Sequence, residues 1–291
     1  MQFDDPLAEL THAHRLLANG QWREGLQHYE ARHRLPGLTP PVRGEVPEWM
    51  GEPLAGRHIL VTHEQGQGDQ IGFVRFLAPL KAAGAGRITL VCAASLERLF
   101  RQIEAVDDLI AIGVAQQKAI DPPDLWIRVA SLPLRLGLTE AEIPAPPYLS
   151  ATPRPQAVRV GIVTNGNPDF RDDRHRSLPP HLAAEARALP GVMSLAPEAT
   201  GVRDFLDTAE IVAGLDLVVT TCTSVAHLAG AMGKPTWVML SAVRPDWRWT
   251  AAGERTPWYP SATLYRQPAP GDWRAVLDRV RADLEGFLAS G

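Results

Sequence analysis

Thr223, Ser224 and His227 are the residues of this chain whose types and spacing first point to chemistry. They follow an apolar run, Leu215 to Val219, with the makeup of a buried parallel strand. The small residues Thr220, Thr221, Cys222, Thr223 and Ser224 break that run and suit a strand end and a helix N-cap. Val225 to Met232 continue as a short helix, Gly233 ends it in the left-handed conformation, and Pro235 keeps it from resuming. Thr236 to Leu240 is the next strand. In such a β-α-β unit the helix N-terminus directs N–H groups past the strand ends, and that place favours an anion. His227, early in the helix, either faces the same place or only caps and pairs within ordinary sheet core; the residues leave both readings open.

Three further stretches carry polar chemistry. Glu64-Gln-Gly-Gln-Gly-Asp-Gln70 follows an apolar strand, and Gly66 and Gly68 allow a tight turn with room for a ligand. The loop Thr164 to Ser177, TNGNPDFRDDRHRS, is long and charged. After Leu240 the run AVRPDWRWTAAGERTPWYP is too polar and too rich in tryptophan for idle packing. Trp237, Trp247, Trp249 and Trp258 cluster at this end, as an aromatic-walled cleft would need.

The elements that must position these loops alternate strand and helix. His58–Thr62, Ile88–Cys92, Leu109–Ile112 and Leu125–Ile127 read as short strands. Between them lie a helix with Phe73, Phe76, Leu77 and Leu80 on one face and another capped by Ser95 and running to Ile103. Pro144, Pro146, Pro147, Pro153 and Pro155 form the clearest linker. Beyond it, strands are expected at Arg159–Val163 and Val192–Leu195 and an extended piece at Leu264–Tyr265. Helices are expected at Pro180–Leu189, Thr208–Ala213 and Asp272–Leu288. Ahead of all this, Leu7 to Leu35 has two apolar stripes at helical spacing, broken at Asn19-Gly20: a helical hairpin that cannot bury its own face unaided. Residues 36–55, rich in Pro and Gly, read as a connector. The expected plan is an α/β chain with the hairpin and connector at 1–50, one parallel-sheet domain at 51–150 and a second at 151–291, with ligands bound at strand ends in a cleft between the two.

Composition narrows the classes. The chain has 291 residues and a formal net charge of −4, which argues against holding nucleic acid by bulk charge. Its two cysteines, Cys92 and Cys222, read as free buried thiols. No Cys/His cluster has structural zinc spacing. The start, MQFDDPLAEL, lacks an apolar signal core, and no apolar run is long enough to span a bilayer. A soluble, cytoplasmic protein is the expectation.

The motifs resemble those of the GT-B glycosyltransferases, in the bacterial heptosyltransferase and O-GlcNAc-transferase-like groups, and in particular bacterial proteins with tetratricopeptide repeats ahead of such a domain. The stretches that carry the resemblance are Cys222-Thr-Ser-Val-Ala-His227-Leu-Ala-Gly-Ala-Met-Gly-Lys-Pro235, Pro245-Asp-Trp-Arg-Trp249, Trp258-Tyr-Pro260, Gly166-Asn-Pro168 and Glu64-Gln-Gly-Gln-Gly-Asp69. The hairpin with Gly20, Trp22, Gly25 and Tyr29 looks like a tetratricopeptide-type repeat. The resemblance implies a metal-independent transferase without a cofactor, whose second domain holds a nucleotide-activated sugar and whose first holds a protein, glycan or lipid-linked hydroxyl acceptor. Helix N-termini and basic side chains would take the diphosphate charge. Asp69 matches the proposed general base, beside the alternative that it caps its helix. Thr223, Ser224 and His227 would contact phosphate or sugar. Asn165 and Asn167 would read the donor, or shape the loop. Arg171, Arg174 and Arg176 would clamp phosphate, or face solvent. Asp246, Trp247 and Trp249 would wall the nucleotide pocket, or pack a hinge.

The chain departs from that pattern in three places. Cys222 stands where the family has an acidic residue, and a thiol does not replace a carboxylate acceptor. Thr164-Asn165 replaces an aromatic before Gly166-Asn-Pro168. The lysine or glutamine usual after the Val192–Leu195 strand is missing, with Arg203 as the candidate substitute. Two alternatives stand beside the transferase: a catalytically degenerate scaffold or binding protein of the same fold, and another two-domain enzyme such as a sugar-nucleotide epimerase or hydrolase. A nicotinamide enzyme is disfavoured because the glycine-rich turn lacks the dinucleotide fingerprint.

Overall fold

The computed structural model describes residues 3–36, 46–113 and 121–290. Much of the Pro/Gly connector expected over 36–55 lies outside them. The chain divides into two units, Met1–Ala145 and Pro146–Gly291.

The first unit begins with the hairpin. Helix α1 (Pro6–Ala18) takes Asp5 as N-cap and α2 (Trp22–Tyr29) follows a turn in which Gly20 has φ +75°. The helices touch closely at Gly25, where a Cβ would lie 2.7 Å from Leu17. Strands β1 (His58–Thr62), β2 (Arg87–Ala93), β3 (Asp108–Ile112) and β4 (Leu125–Arg128) pair all-parallel in the order β3-β2-β1-β4. Between β1 and β2 the expected single helix is two, α3 (Gln67–Phe73) and α4 (Leu77–Ala82), joined by a 3-10 turn at Val74–Phe76. Pro79 explains the break, because its ring obstructs a helical bond to the carbonyl of Arg75. After β2 the helix expected to Ile103 is only α5 (Glu97–Phe100). Ser95 accepts a hydrogen bond from the Gln67 side chain at 2.7 Å instead of capping it. A further short helix, α6 (Leu132–Arg135), follows β4.

The hairpin is welded to the sheet of its own unit by buried polar contacts. Arg32, in the 3-10 turn after α2, lies beside Glu64 in the turn after β1, and both side chains are 0% exposed. Two guanidinium N–H groups donate to the Glu64 carboxylate at 2.8 and 2.9 Å, and others reach Ser131, Glu30 and the Tyr29 carbonyl. Glu64 also accepts the Ala130 N–H at 3.0 Å. Trp22 Nε1 donates to the Leu138 carbonyl at 2.7 Å. The apolar stripe that the hairpin could not bury alone, with Leu10, Leu16, Leu17, Trp22, Leu26 and Tyr29, is buried here.

The second unit is a five-stranded parallel sheet with helices between its strands. In chain order it contains β5 (Val160–Val163), α7 (Asp173–Arg176), α8 (Pro180–Arg187), β6 (Val192–Ser194), α9 (Pro197–Thr200) and α10 (Phe205–Ala213). Then come β7 (Leu217–Thr221), α11 (Ser224–Ala231), β8 (Thr236–Leu240), β9 (Ala262–Arg266) and α12 (Trp273–Ala289). The order is β6-β5-β7-β8-β9. β7 runs two residues later than its apolar run because the β-branched Thr220 and Thr221 extend it, buried in the sheet. α10 starts three residues early because the Asp204 side chain caps it, accepting from Leu206 and Asp207 N–H. α12 buries Trp273, Val276, Leu277, Val280 and Leu284 against the sheet, the face its periodicity dictates.

Candidate functional site

In the second unit the chain leaves β5, β7 and β8 at the same edge of the sheet, because parallel strands all end on one side. The three loops that follow hold most of the residues singled out from the sequence.

The β5 loop closes on itself through Asp173. Its carboxylate accepts from Arg176 Nε at 2.8 Å and Ser177 Oγ at 2.6 Å, and Ser177 Oγ accepts the Gly166 N–H at 2.8 Å. A Cβ at Gly166 would sit 2.1 Å from Asp173 Oδ1 and 2.8 Å from Arg176 Nε, so any other residue would have to displace this ion pair. Arg176 lies 4.5 Å above the Phe170 ring and donates through Nη1 to the Cys222 carbonyl at 3.1 Å. That bond ties the loop to the residue two positions before α11. Asn165 donates to the Leu178 carbonyl at 3.2 Å, and Asn167 Oδ1 accepts the Asp169 N–H at 3.0 Å; both shape the loop while remaining exposed. Arg171 and Arg174 are exposed on the same loop, and Arg174 Nε donates to His175 at 3.2 Å.

At the end of β7, Thr223 is the N-cap of α11 with extended backbone, yet its hydroxyl does not cap the helix and lies 3.2 Å from the Thr220 hydroxyl. Ser224 opens the helix, half-buried. The first-turn N–H groups of α11 thus get no side-chain acceptor from their own N-cap.

His227 is 4% exposed and held on several sides. Nδ1 is 3.0 Å from the Tyr259 hydroxyl, and Nε2 is 4.0 Å from Asp246 Oδ2. Trp249 stacks on the imidazole, 5.1 Å between centroids at 26°. Gly230 makes room for this arrangement: a Cβ there would lie 2.5 Å from the Tyr259 ring. Trp249 is 0% exposed and donates through Nε1 to Cys222 Sγ at 3.1 Å, so its ring serves His227 and offers no open face. Asp246 caps the 3-10 turn Trp247–Trp249 by accepting the Arg248 N–H at 2.9 Å, and accepts from the Arg248 guanidinium at 2.6 Å. Trp247 is buried edge-on against Trp258. Burial, then the Asp246 carboxylate, pushes the Cys222 thiol up to about 12, so it stays neutral.

Two candidates have other partners. Arg203, with its side chain 74% exposed, is engaged by Asp207 through both carboxylate oxygens at 2.8 and 3.1 Å. Asp69 belongs to the first unit, at the third position of α3, where Oδ2 accepts the Gly66 N–H at 3.0 Å. Among the described residues, one trio of His, Asp or Glu side chains is arranged as a metal would need: His12, Glu24 and His28 on the hairpin.

Arg176, Tyr259 and the Cys222–Trp249 contact complete this cluster; Tyr259 was quoted only within Trp258-Tyr-Pro260, with no role, and the contact was not foreseen. Their signal was indirect: a glycine inside α11 at position 230, and an aromatic run, 258–259, after a tryptophan-rich loop.

No family model matches the chain. Protein FlbA of Caulobacter vibrioides is 27% identical over 341 residues, covering 99% of this chain and 56% of FlbA. The chain therefore spans little more than half the length of that relative. The glycosyl transferase family 9 structure from Veillonella parvula superposes with a TM-score of 0.56 at 12% identity, covering 82% of this chain and 99% of that one. The E. coli ADP-heptose LPS heptosyltransferase II structure gives 0.54 at 14% identity, covering 80% and 99%. No helix among the described residues is long and apolar enough to cross a membrane. At these identities the likeness establishes the fold: two Rossmann-like parallel-sheet units of the GT-B type.

Proposed function

We propose that this chain is a glycosyltransferase that moves a sugar from a nucleotide-activated donor to a hydroxyl of a protein, glycan or lipid-linked acceptor. The observation that carries the reading is the convergence at the end of β7. Arg176 reaches the Cys222 carbonyl, Thr223 leaves the α11 N-terminus without a side-chain cap, and His227 stands one turn inside, fixed by Tyr259 and Trp249. Arg176 and the helix N-terminus would take the diphosphate charge, with Arg171 and Arg174 adding attraction from the loop. His227 would donate or accept a hydrogen bond to phosphate or sugar. Asp246, beside it, would orient the imidazole. Trp249 would act behind the site, and Trp247 at its edge. Asp69 would be the general base, releasing the Gly66 N–H to take the acceptor proton as the hydroxyl attacks the anomeric carbon. Because one superposed structure is described as acting with ADP-heptose, an ADP-linked heptose is the first donor to try. The hairpin would brace the first unit or recruit the acceptor.

A degenerate scaffold is the second reading. It draws on Asp69 being committed to a helix cap, Arg203 to Asp207, and an uncharged Cys222 at the head of the motif.

Calorimetric titration with nucleoside diphosphates, CMP and their sugar conjugates, ADP-heptose included, separates the two. The transferase reading expects one nucleotide to bind in the micromolar range, weakened about tenfold in His227→Gln and several-fold in Arg174→Ala. Asp69→Asn should then retain binding and lose turnover. A folded protein that binds none of the panel belongs to the scaffold reading.

A further inference from the structure

We propose that the N-terminal hairpin holds a divalent transition-metal ion of the zinc type between His12 on α1 and Glu24 and His28 on α2. One ligating atom from each of these side chains lies within 4.8 Å of the others. The arrangement follows from the hairpin itself. Glu24 and His28 are four residues apart on α2 and so share a face. The turn at Asn19-Gly20 sets α1 against that face, and Gly25 lets the helices come close. The His12 and His28 rings meet with centroids 5.1 Å apart at 78°. Phe3 packs against both imidazoles, at 5.1 and 5.6 Å, and gives the group an apolar cover on one side.

A second, independent observation points to a cation. His28 Nδ1 lies 2.9 Å from Glu9 Oε1, which can only accept, so Nδ1 carries the proton and the Nε2 lone pair is left for a ligand. A carboxylate behind a histidine in this way fixes the tautomer and the ring's orientation, as in metal sites. Arg34 in turn holds the other oxygen of Glu9.

Arg15 makes the inference specific. Its Nη2 is 3.0 Å from His12 Nδ1, and a guanidinium only donates, so Nδ1 is the acceptor there. A metal on Nδ1 would displace Arg15. A metal on Nε2 would leave the ring proton on Nδ1, facing a donor. Either way Arg15 and the metal exclude each other, and Arg15 is exposed and can swing into solvent. Two imidazoles and one carboxylate suit zinc, whose remaining position would take water; calcium and magnesium favour all-oxygen sets.

The test uses the tag-free full chain, stripped with EDTA and titrated with zinc chloride against a chromophoric chelator. One zinc per chain is expected, with affinity at least about tenfold lower in His12→Ala and in Glu24→Gln. Arg15→Gln should bind several-fold more tightly. Zinc-edge absorption should show two imidazoles and an oxygen ligand. Glu24 is exposed, so E24Q decides the matter should H12A fail to fold. Affinity unchanged within twofold in the ligand variants, weaker binding in R15Q, or magnesium bound as tightly as zinc would overturn the proposal.

Discussion

The turns after β1 and after β7 have the same architecture and opposite fates. Each follows a buried parallel strand and leads into a helix. In the first, Glu64 is wholly consumed inside the unit by Arg32 and Ala130, and Asp69 closes on the Gly66 N–H. In the second, Thr223 does not cap its helix, and the nearby loop leaves Arg171 and Arg174 exposed. The Arg32–Glu64 pair, whose charges satisfy one another, is a brace. A turn with an uncapped helix start and a loop of exposed arginines is what the proposed function needs for an anion.

The largest effect expected from this contrast is at the brace. Arg32→Met leaves Glu64 buried without its partner and should cost about 3–5 kcal/mol in a guanidinium denaturation curve. The double variant with Glu64→Leu should recover much of that loss. Arg174→Ala, on the other turn, should stay within about 0.5 kcal/mol. If Arg32→Met costs no more than Arg174→Ala, the distinction between brace and site collapses.

Acid should find the brace next. His33, beside Arg32, is held down to about 3, by burial first and then by Arg32, with Arg128 and Arg135 adding to it. Its unfolded form takes a proton near 6.5. The unfolded chain therefore binds more protons between those values, so stability is full at pH 7 and is lost as pH falls from about 6.5 toward 3. The Arg32 guanidinium outweighs the burial of Glu30 and holds its carboxyl below the usual value near 4.5, so it adds loss in the same direction at more acid pH. His33→Gln should remove on the order of 2–3 kcal/mol of the difference between pH 7 and pH 4, read from urea midpoints. An unchanged pH dependence in that variant would remove His33 from the account.

How far the two turns could be told apart in advance depended on the range of the interactions. β1 and β8 have their expected bounds because apolar runs ended by glycine, proline or small residues declare themselves locally. The α11 turn was legible for the same reason. Arg32 was not: it sits among like residues in the run Glu-Ala-Arg-His-Arg, nothing local marks it, and its partner is 32 residues away. His227 was legible as a residue early in the helix after β7, but not as one stacked on Trp249 and bonded to Tyr259. Those contacts depend on where the β8 loop lies. Trp247 and Trp249 were picked out for aromatic content and for the Pro245-Asp-Trp-Arg-Trp249 run, and neither reveals that both rings are buried.

A smaller effect tests how His227 is held. Tyr259→Phe removes one hydroxyl from a buried pair and should cost about 0.5–1.5 kcal/mol of stability. It should weaken nucleotide binding by more than its effect on folding suggests, because the imidazole loses the partner that sets its orientation. Equal binding by wild type and Tyr259→Phe would show that Trp249 stacking alone positions His227.

The smallest effect concerns Cys222, and it bears on whether the second turn is open at its base. Its thiol accepts the Trp249 N–H, and burial with Asp246 nearby pushes it up to about 12. Cys92, buried in β2, is likewise pushed up to about 12 by burial first. Only a thiolate attacks a disulfide reagent, so at pH 8 both should react with Ellman's reagent far more slowly in the native protein than after unfolding. Cys92 is the internal control, since nothing in a donor site depends on it. Equal, slow reaction of the two places the opening of the turn above Cys222, at the N-terminus of α11. Rapid reaction of Cys222 alone, slowed by a bound nucleotide, would place the thiol in the site and Trp249 on a moving loop. Cys222→Ser should then alter binding, where the buried arrangement expects it to stay within about twofold.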